Sequence, residues 1–272
     1  MTKKHLLGSS ILLFLLFLCL GTMIVGAWVV FLVGRGATMS ETQEYVVKGP
    51  FTHMTVTNPV GEVKIQPVTT KGTFSVHIRK RVRDSWLGDR SKMRRVLDTM
   101  RVDVEESNGE LRIRVQRPPM ADTLRSVSVD LLISVPEHID IDLTQEVGEI
   151  TVEEVTGVLH IKDGVGSIIL DKVTLLGGST VDVDTGNIRF SGRLPDTGTV
   201  RLATGVGSIT MALSPENAFA LQTSTGVGHI KVKLPTKTYD SKGSLQLEVG
   251  KAPTATLVAQ TETGSIDIEV KQ

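Results

Sequence analysis

The sequence predicts an all-β protein: a β-solenoid of short stacked strands, with about 20 residues per coil, following one N-terminal transmembrane helix and carrying one short inserted helix. Three observations predict it. A glycine-led phrase recurs as GEITV at 148–152, GSIIL at 166–170, GNIRF at 186–190, GSITM at 207–211, GHIKV at 228–232 and GSIDI at 264–268. Its glycines are spaced 18, 20, 21, 21 and then 36 residues apart. Within each phrase apolar and polar residues alternate, so two side chains point to one face of a strand too short to bury that face alone. The third observation is a long run without charge that precedes all the repeats.

That run, Leu6 to Val33, spans 28 residues, enough to cross a hydrocarbon core of about 30 Å. It exceeds the apolar region of a cleaved signal peptide, and Phe17 and Leu18 before Cys19 are unlike a lipoprotein site. Lys3, Lys4 and His5 precede it, whereas only Arg35 follows before Glu41 and Glu44, an asymmetry that places the N-terminus in the cytoplasm. The expected organisation is a cytoplasmic tail at 1–5, a single-pass transmembrane helix at 6–33, a polar linker at 34–49 and an extracytoplasmic β-strand-repeat domain at 50–272.

Within that domain, residues 50–135 read as irregular coils and 136–272 as regular ones. Phe51 onward shows strand alternation at Met54 and Val56, a turn at Asn58 to Gly61, and the phrase GEVKI at 61–65. Trp86, Met93, Val96, Leu97 and Met100 share one helical face, which predicts a helix over 86–100 with Asp84 or Ser85 as its cap. Arg101 to Arg117 reads as a hairpin turning at Asn108-Gly109. Between the main glycines a second series of strands runs through Leu159 and Ile161, Val181 and Val183, Val200 and Leu202, and Phe219 and Leu221. After Val232 the period breaks, and the 36-residue step predicts an insertion before a last coil at Leu257 to Val270, whose free end around Ile266 and Ile268 would offer a surface for self-assembly.

Composition narrows function. In 272 residues, 30 Lys plus Arg balance 30 Asp plus Glu, so no net charge points to nucleic acid, and aromatics at 4% leave few stacking platforms. The only cysteine is Cys19, and the six histidines lack metal-ligand spacing, so no catalytic residue, cofactor site or metal site is expected. Gly164-Val-Gly166, Gly205-Val-Gly207 and Gly226-Val-Gly228 precede strands rather than helices and lack the Lys-Ser/Thr ending of a phosphate loop; they are turns. Asp182 with Asp184, and Asp140 with Asp142, alternate outward, with His160, Lys162 and Arg201 expected nearby. Solenoid polysaccharide-cleaving enzymes hold their acid and base on such a face, though charge ladders between strands are the ordinary reason for the pattern. Arg79, Lys80, Arg81 and Arg83, with Arg94 and Arg95 on the following helix, form the least neutral part of the domain and a candidate contact for an anionic surface.

The membrane span, the phrases GEVKI and GELRIRV (109–115), and the repeated Thr-Gly units resemble the bacterial putative-adhesin family of β-strand-repeat domains of unknown function, similar to head GIN domain proteins. The resemblance covers residues 50–272. It implies a β-solenoid at the cell envelope, with no catalytic residues to carry over. The expected function is a membrane-anchored, non-enzymatic, adhesin-like binding or structural module of the envelope. Its partners would be the membrane together with an envelope polymer, anionic lipid or another envelope protein. The alternatives are an envelope-stress sensor or regulatory partner, a self-assembling scaffold and, last, a polysaccharide-cleaving enzyme.

Overall fold

Alternating sequence becomes alternating burial along every repeat strand, and the buried sides meet in one core. The computed structural model describes residues 37–47, 49, 51–68, 74–84, 88–119 and 121–271. Its strands are β1 (Thr38–Val47), β2 (His53–Val60), β3 (Val63–Pro67), β4 (Phe74–Arg83), β5 (Arg101–Ser107), β6 (Glu110–Gln116), β7 (Ser126–Val135), β8 (Asp140–Glu153), β9 (Thr156–Gly157), β10 (Leu159–Leu175), β11 (Thr180–Arg193), β12 (Thr197–Val206), β13 (Ile209–Leu213), β14 (Phe219–Val227), β15 (Ile230–Lys233), β16 (Thr238–Ser241), β17 (Ser244–Val249), β18 (Thr254–Thr263) and β19 (Ile266–Val270). One helix, α1 (Arg90–Thr99), and a 3-10 turn at Ala121–Thr123 complete the described residues. The apolar run at 6–33 lies outside them; among the described residues no helix is long and apolar enough to cross a membrane.

The repeats form rungs, each a strand that bends at its glycine and continues. Residues before the bend pair in one ladder, ordered β6, β2, β8, β10, β11, β12, β18, β14. Residues after it pair in a second, ordered β7, β3, β8, β10, β11, β13, β19, β15. Both ladders are parallel throughout this span. Ile65, Val152, Leu170, Phe190, Met211, Ile268 and Val232 stand in register in the second ladder, each at most 2% exposed. Each side chain in this file contributes about 1.5–3 kcal/mol of burial. A single cluster of buried side chains runs from Val47 to Val270.

At the bend, glycine sits on glycine. A Cβ added at Gly186 would lie 1.5 Å from the Gly166 carbonyl oxygen, and one added at Gly166 would lie 1.6 Å from that of Gly148. Gly186 also has φ of +150°, a conformation that side chains other than glycine's rarely adopt. The repeated glycine is therefore a condition for the rungs to approach at the strand spacing of about 4.8 Å.

Order in space departs from order in sequence. β18 lies between β12 and β14, and β19 between β13 and β15, so the C-terminal rung is inserted into the stack. This explains the 36-residue step: 219–233 build the outer rung, 238–249 fold antiparallel onto it as β16 and β17, and the chain then returns to fill the vacant slot. The expectation that Leu257 to Val270 closes the stack is thus corrected, since Ile266 and Ile268 have a paired strand on both sides. The other end follows the same plan. β2 and β3 lie inside, β6 and β7 form the rung beyond them, and antiparallel β5, β4 and β1 finish it.

Two further expectations change. The segment read as a polar linker, 34–49, is mostly strand, because β1 pairs along its whole length with β4. The helix expected over 86–100 starts at Arg90, where the Asp89 carboxylate accepts the Ser91 amide at 2.8 Å, and Trp86 lies outside the described residues. Its buried Met93, Val96 and Leu97 pack against β4 and β1. The hairpin turns at Asn108-Gly109 as expected, both with positive φ.

Candidate binding surfaces

Strand alternation decides the fate of the basic cluster. On β4, Arg79, Arg81 and Arg83 point to one side and Lys80 to the other, where it is 7% exposed. Arg79 and Arg81 converge on Asp130 of β7: Arg79 Nε donates to Oδ2 at 3.0 Å and Arg81 Nη2 to Oδ1 at 2.8 Å. The same Oδ1 accepts the Glu62 amide at 3.3 Å, so this cluster ties β4 to the two rungs beside it. Arg94 is held by Asp98 at 2.9 Å. Of the six candidates, Arg83 and Arg95 remain exposed with no ion pair among the described residues, joined by exposed Arg90. Arg83 sits at the end of the stack where the chain enters, because it pairs in register with Thr38 and the Asp84 amide donates to the Ala37 carbonyl at 3.0 Å; Arg90 and Arg95 lie on α1, which packs on β4 and β1.

The outward carboxylates lie on the first ladder. Asp182 is half-buried between Lys162, its register partner, and Arg201, whose Nε is 3.9 Å from Oδ1. Burial raises the Asp182 carboxyl above its ordinary range, the positive charges of Arg201 and Lys162 oppose this, and Asp184 adds to it. A shallow groove of about 410 Å³ opens here because Ala203 and Gly205 are small; Asp184, Gln260 and Glu262 line its rim. His160 does not join the group, bonding instead with Thr180 at 3.0 Å. Asp140 accepts the Val158 amide at 2.8 Å, and Asp142 lies 3.2 Å from His53. These contacts are cross-rung ties. No group of three or more His, Cys, Asp or Glu among the described residues could hold a metal ion.

One file of mostly polar residues points inward, which the sequence reading missed. Asn58, Gln145, Asp163, Val183, Thr204, Thr261 and Thr225 follow one another in register, all at most 5% exposed. Thr204, Thr261 and Thr225 each donate a hydroxyl at 3.0 Å to a glycine carbonyl of the adjoining rung, those of Gly186, Gly207 and Gly264. Asn58 likewise donates to the Val129 carbonyl at 3.1 Å. At the equivalent position Asp163 has neither oxygen hydrogen-bonded to a partner, and a Cβ added at Gly166 would meet both its Oδ2 and the Gly148 carbonyl. As a carboxylic acid Asp163 can donate there; as a carboxylate it cannot.

Burial pushes the Asp163 carboxyl up to about 6, the Gly164 amide draws it down in part, and Asp184 repulsion raises it. The folded value exceeds the unfolded one, so the stability this group contributes is present below about pH 3.8 and lost as the pH rises through about 6. Asp163→Asn, which keeps a donor at every pH, is expected to unfold at higher temperature than the parent at pH 8. The gain should be about 2 kcal/mol and should vanish near pH 4, as read by thermal melts across that range.

Comparison with known proteins agrees with the fold. No family model and no curated protein matches the chain. Among solved structures, a putative cell adhesion protein from Clostridium sporogenes aligns over 86% of this chain and 100% of its own, at 17% identity and a TM-score of 0.50. A putative adhesin from Bacteroides fragilis covers 85% of this chain and 97% of its own, at 10% identity and a TM-score of 0.31. The likeness to the Clostridium sporogenes protein is one of fold.

Proposed function

We propose that the chain is a membrane-anchored, non-enzymatic, adhesin-like module of the bacterial cell envelope, in which the rungs wind as a β-solenoid and present long lateral faces to an envelope component. The observation that carries this reading is the capping of both ends. Antiparallel strands finish each end of the stack, leaving the sides as the regular surface. The apolar run at 6–33 supplies the single-pass anchor, with the N-terminus in the cytoplasm and the stack outside. Three residues separate that run from Ala37, and the four residue steps from Val33 to Ala37 span at most about 14 Å, so the Arg83 end of β4 lies next to the lipid headgroups. This proximity favours anionic lipid as a second contact.

The binding test is co-sedimentation of the full chain, reconstituted in vesicles, with isolated envelope polymers while the supernatant is assayed for sugar. Saturable binding without release is expected. Sugar release that disappears in Asp182→Asn would establish an enzyme instead. For the lipid contact, trypsin cleavage at Arg90 and Arg95 is expected to be several-fold slower in anionic than in zwitterionic vesicles. Arg83→Glu should weaken that protection, since each basic side chain near such a surface contributes about 1 kcal/mol. Equal cleavage in both vesicle types would remove lipid from the list of partners.

A further inference from the structure

Six large apolar side chains are conspicuously exposed among the described residues, and four of them, Val147, Val165, Val206 and Val227, fall in one file. In register the file reads Val60, Val147, Val165, Thr185, Val206, Thr263, Val227, every member β-branched, one per rung along the bend. Val165, Val206 and Val227 each lie between two glycines, so their methyl groups stand proud of the surface. At about 4.8 Å per rung the ridge is about 29 Å long. Exposed Glu146, Asp184 and Glu262 border it on the first ladder, alternating with glycines, while Glu149, Ser167, Asn187, Ser208, Ser265 and His229 border it on the second.

We propose that this ridge is a self-association surface on which a second copy of the chain packs side by side with its stack axis parallel. The partner follows from periodicity and charge. A row of branched side chains at the strand spacing is matched rung for rung by the same row on another copy. A two-fold axis along the stack sets the first-ladder border of one copy against the second-ladder border of the other. Asp184 then faces Asn187, and Glu262 faces Ser265, so carboxylates meet hydrogen-bond donors. Glu146 faces Glu149, so contact is closest over the half from Thr185 to Val227.

The strip from Glu146 to Glu149 is about 13 Å wide, which gives roughly 400 Å² per copy, about half of what a standard interface buries. Pairing therefore depends on the raised local concentration of two anchored copies in one membrane, and it rests on the anchored reading given above.

The test uses the full chain with Cys19→Ser, reconstituted in vesicles, carrying Val206→Cys or Thr185→Cys and oxidised under mild conditions. A covalent dimer is expected at both positions, with at least tenfold less for Arg189→Cys on the second ladder face. Adding Val227→Glu should suppress the Thr185→Cys dimer, and dilution into detergent should abolish it. Equal yields at all three positions, or none at the ridge while the chain floats with the vesicles and resists alkaline extraction, would overturn self-association alone. Loss of the chain from the vesicles on alkaline extraction would overturn the anchored reading and this pairing with it.

Discussion

Gly186→Ala is expected to lower stability by more than about 4 kcal/mol, among the largest effects open to a single added methyl group. The new Cβ would lie 1.5 Å from the Gly166 carbonyl oxygen, and that atom belongs to a backbone held on both sides by ladder bonds, so no rotamer change relieves the clash. The backbone at φ +150° adds strain of its own, of order 1–3 kcal/mol. Gly109→Ala offers the contrast. An added Cβ there meets nothing within 4 Å, so only the turn conformation is penalised and the loss should be about 1 kcal/mol. Denaturant unfolding of the two variants against the parent separates packing strain from conformational strain.

The second large effect is expected from removing the last rung. Deleting residues 254–272 takes β18 and β19 from between two occupied rungs, so β12 and β13 lose their partners on one side while β14, β15 and the β16–β17 cap are left detached. Buried Leu257, Ile266 and Ile268 would be lost, and their buried register neighbours Val200, Ile209 and Met211 would face an open slot. We expect rapid proteolysis throughout 214–253, with 140–206 retained as a resistant core. A terminal rung lying at the end of the stack would give the opposite pattern, a trimmed protein with 219–249 still protected. Limited proteolysis followed by mass measurement distinguishes the two.

Much of this architecture is legible in the sequence because its cause is local. The glycine-led phrases, the apolar alternation and the turn at Asn108-Gly109 each require particular residue types at particular positions, and the strands stand where those residues are. The order of rungs is not local. Nothing in GSIDI at 264–268 distinguishes a terminal rung from an inserted one, since the inward Ile266 and Ile268 suit either place; the only trace was the 36-residue gap, which a loop would also explain. β1 was hidden because TMSETQEYVV at 38–47 is mostly polar, and its strand is imposed by pairing with β4.

The candidate surfaces show the same division. Alternation along β4 separates Lys80 from the arginines it was grouped with, a distinction the letters allowed, but the capture of Arg79 and Arg81 by Asp130 joins residues about 50 positions apart. Asp163 left a fainter signal: LHIKDG places an acid where the later repeats carry Val or Thr at the same distance before the bend, a break in pattern visible only once the inward register is known. The valine ridge was present in the letters as the repeated Gly-Val-Gly, read as turn chemistry. The turn is real, and the direction of the valine side chains is a property of the bend.

The account turns on a stack finished at both ends by antiparallel strands, with the C-terminal rung inside it, so that binding falls to the lateral faces. The most direct measurement is disulfide formation between paired cysteines in the full chain carrying Cys19→Ser. Thr210 and Asp267 are register neighbours, as are Lys231 and Asp267, whereas Thr210 and Lys231 are two rungs apart, about 10 Å, beyond the reach of a disulfide. The account predicts that Thr210→Cys with Asp267→Cys, and Lys231→Cys with Asp267→Cys, each oxidise readily within one chain, while Thr210→Cys with Lys231→Cys does not. Ready closure of the Thr210 and Lys231 pair, with none between Thr210 and Asp267, would place the rungs in sequence order and contradict it.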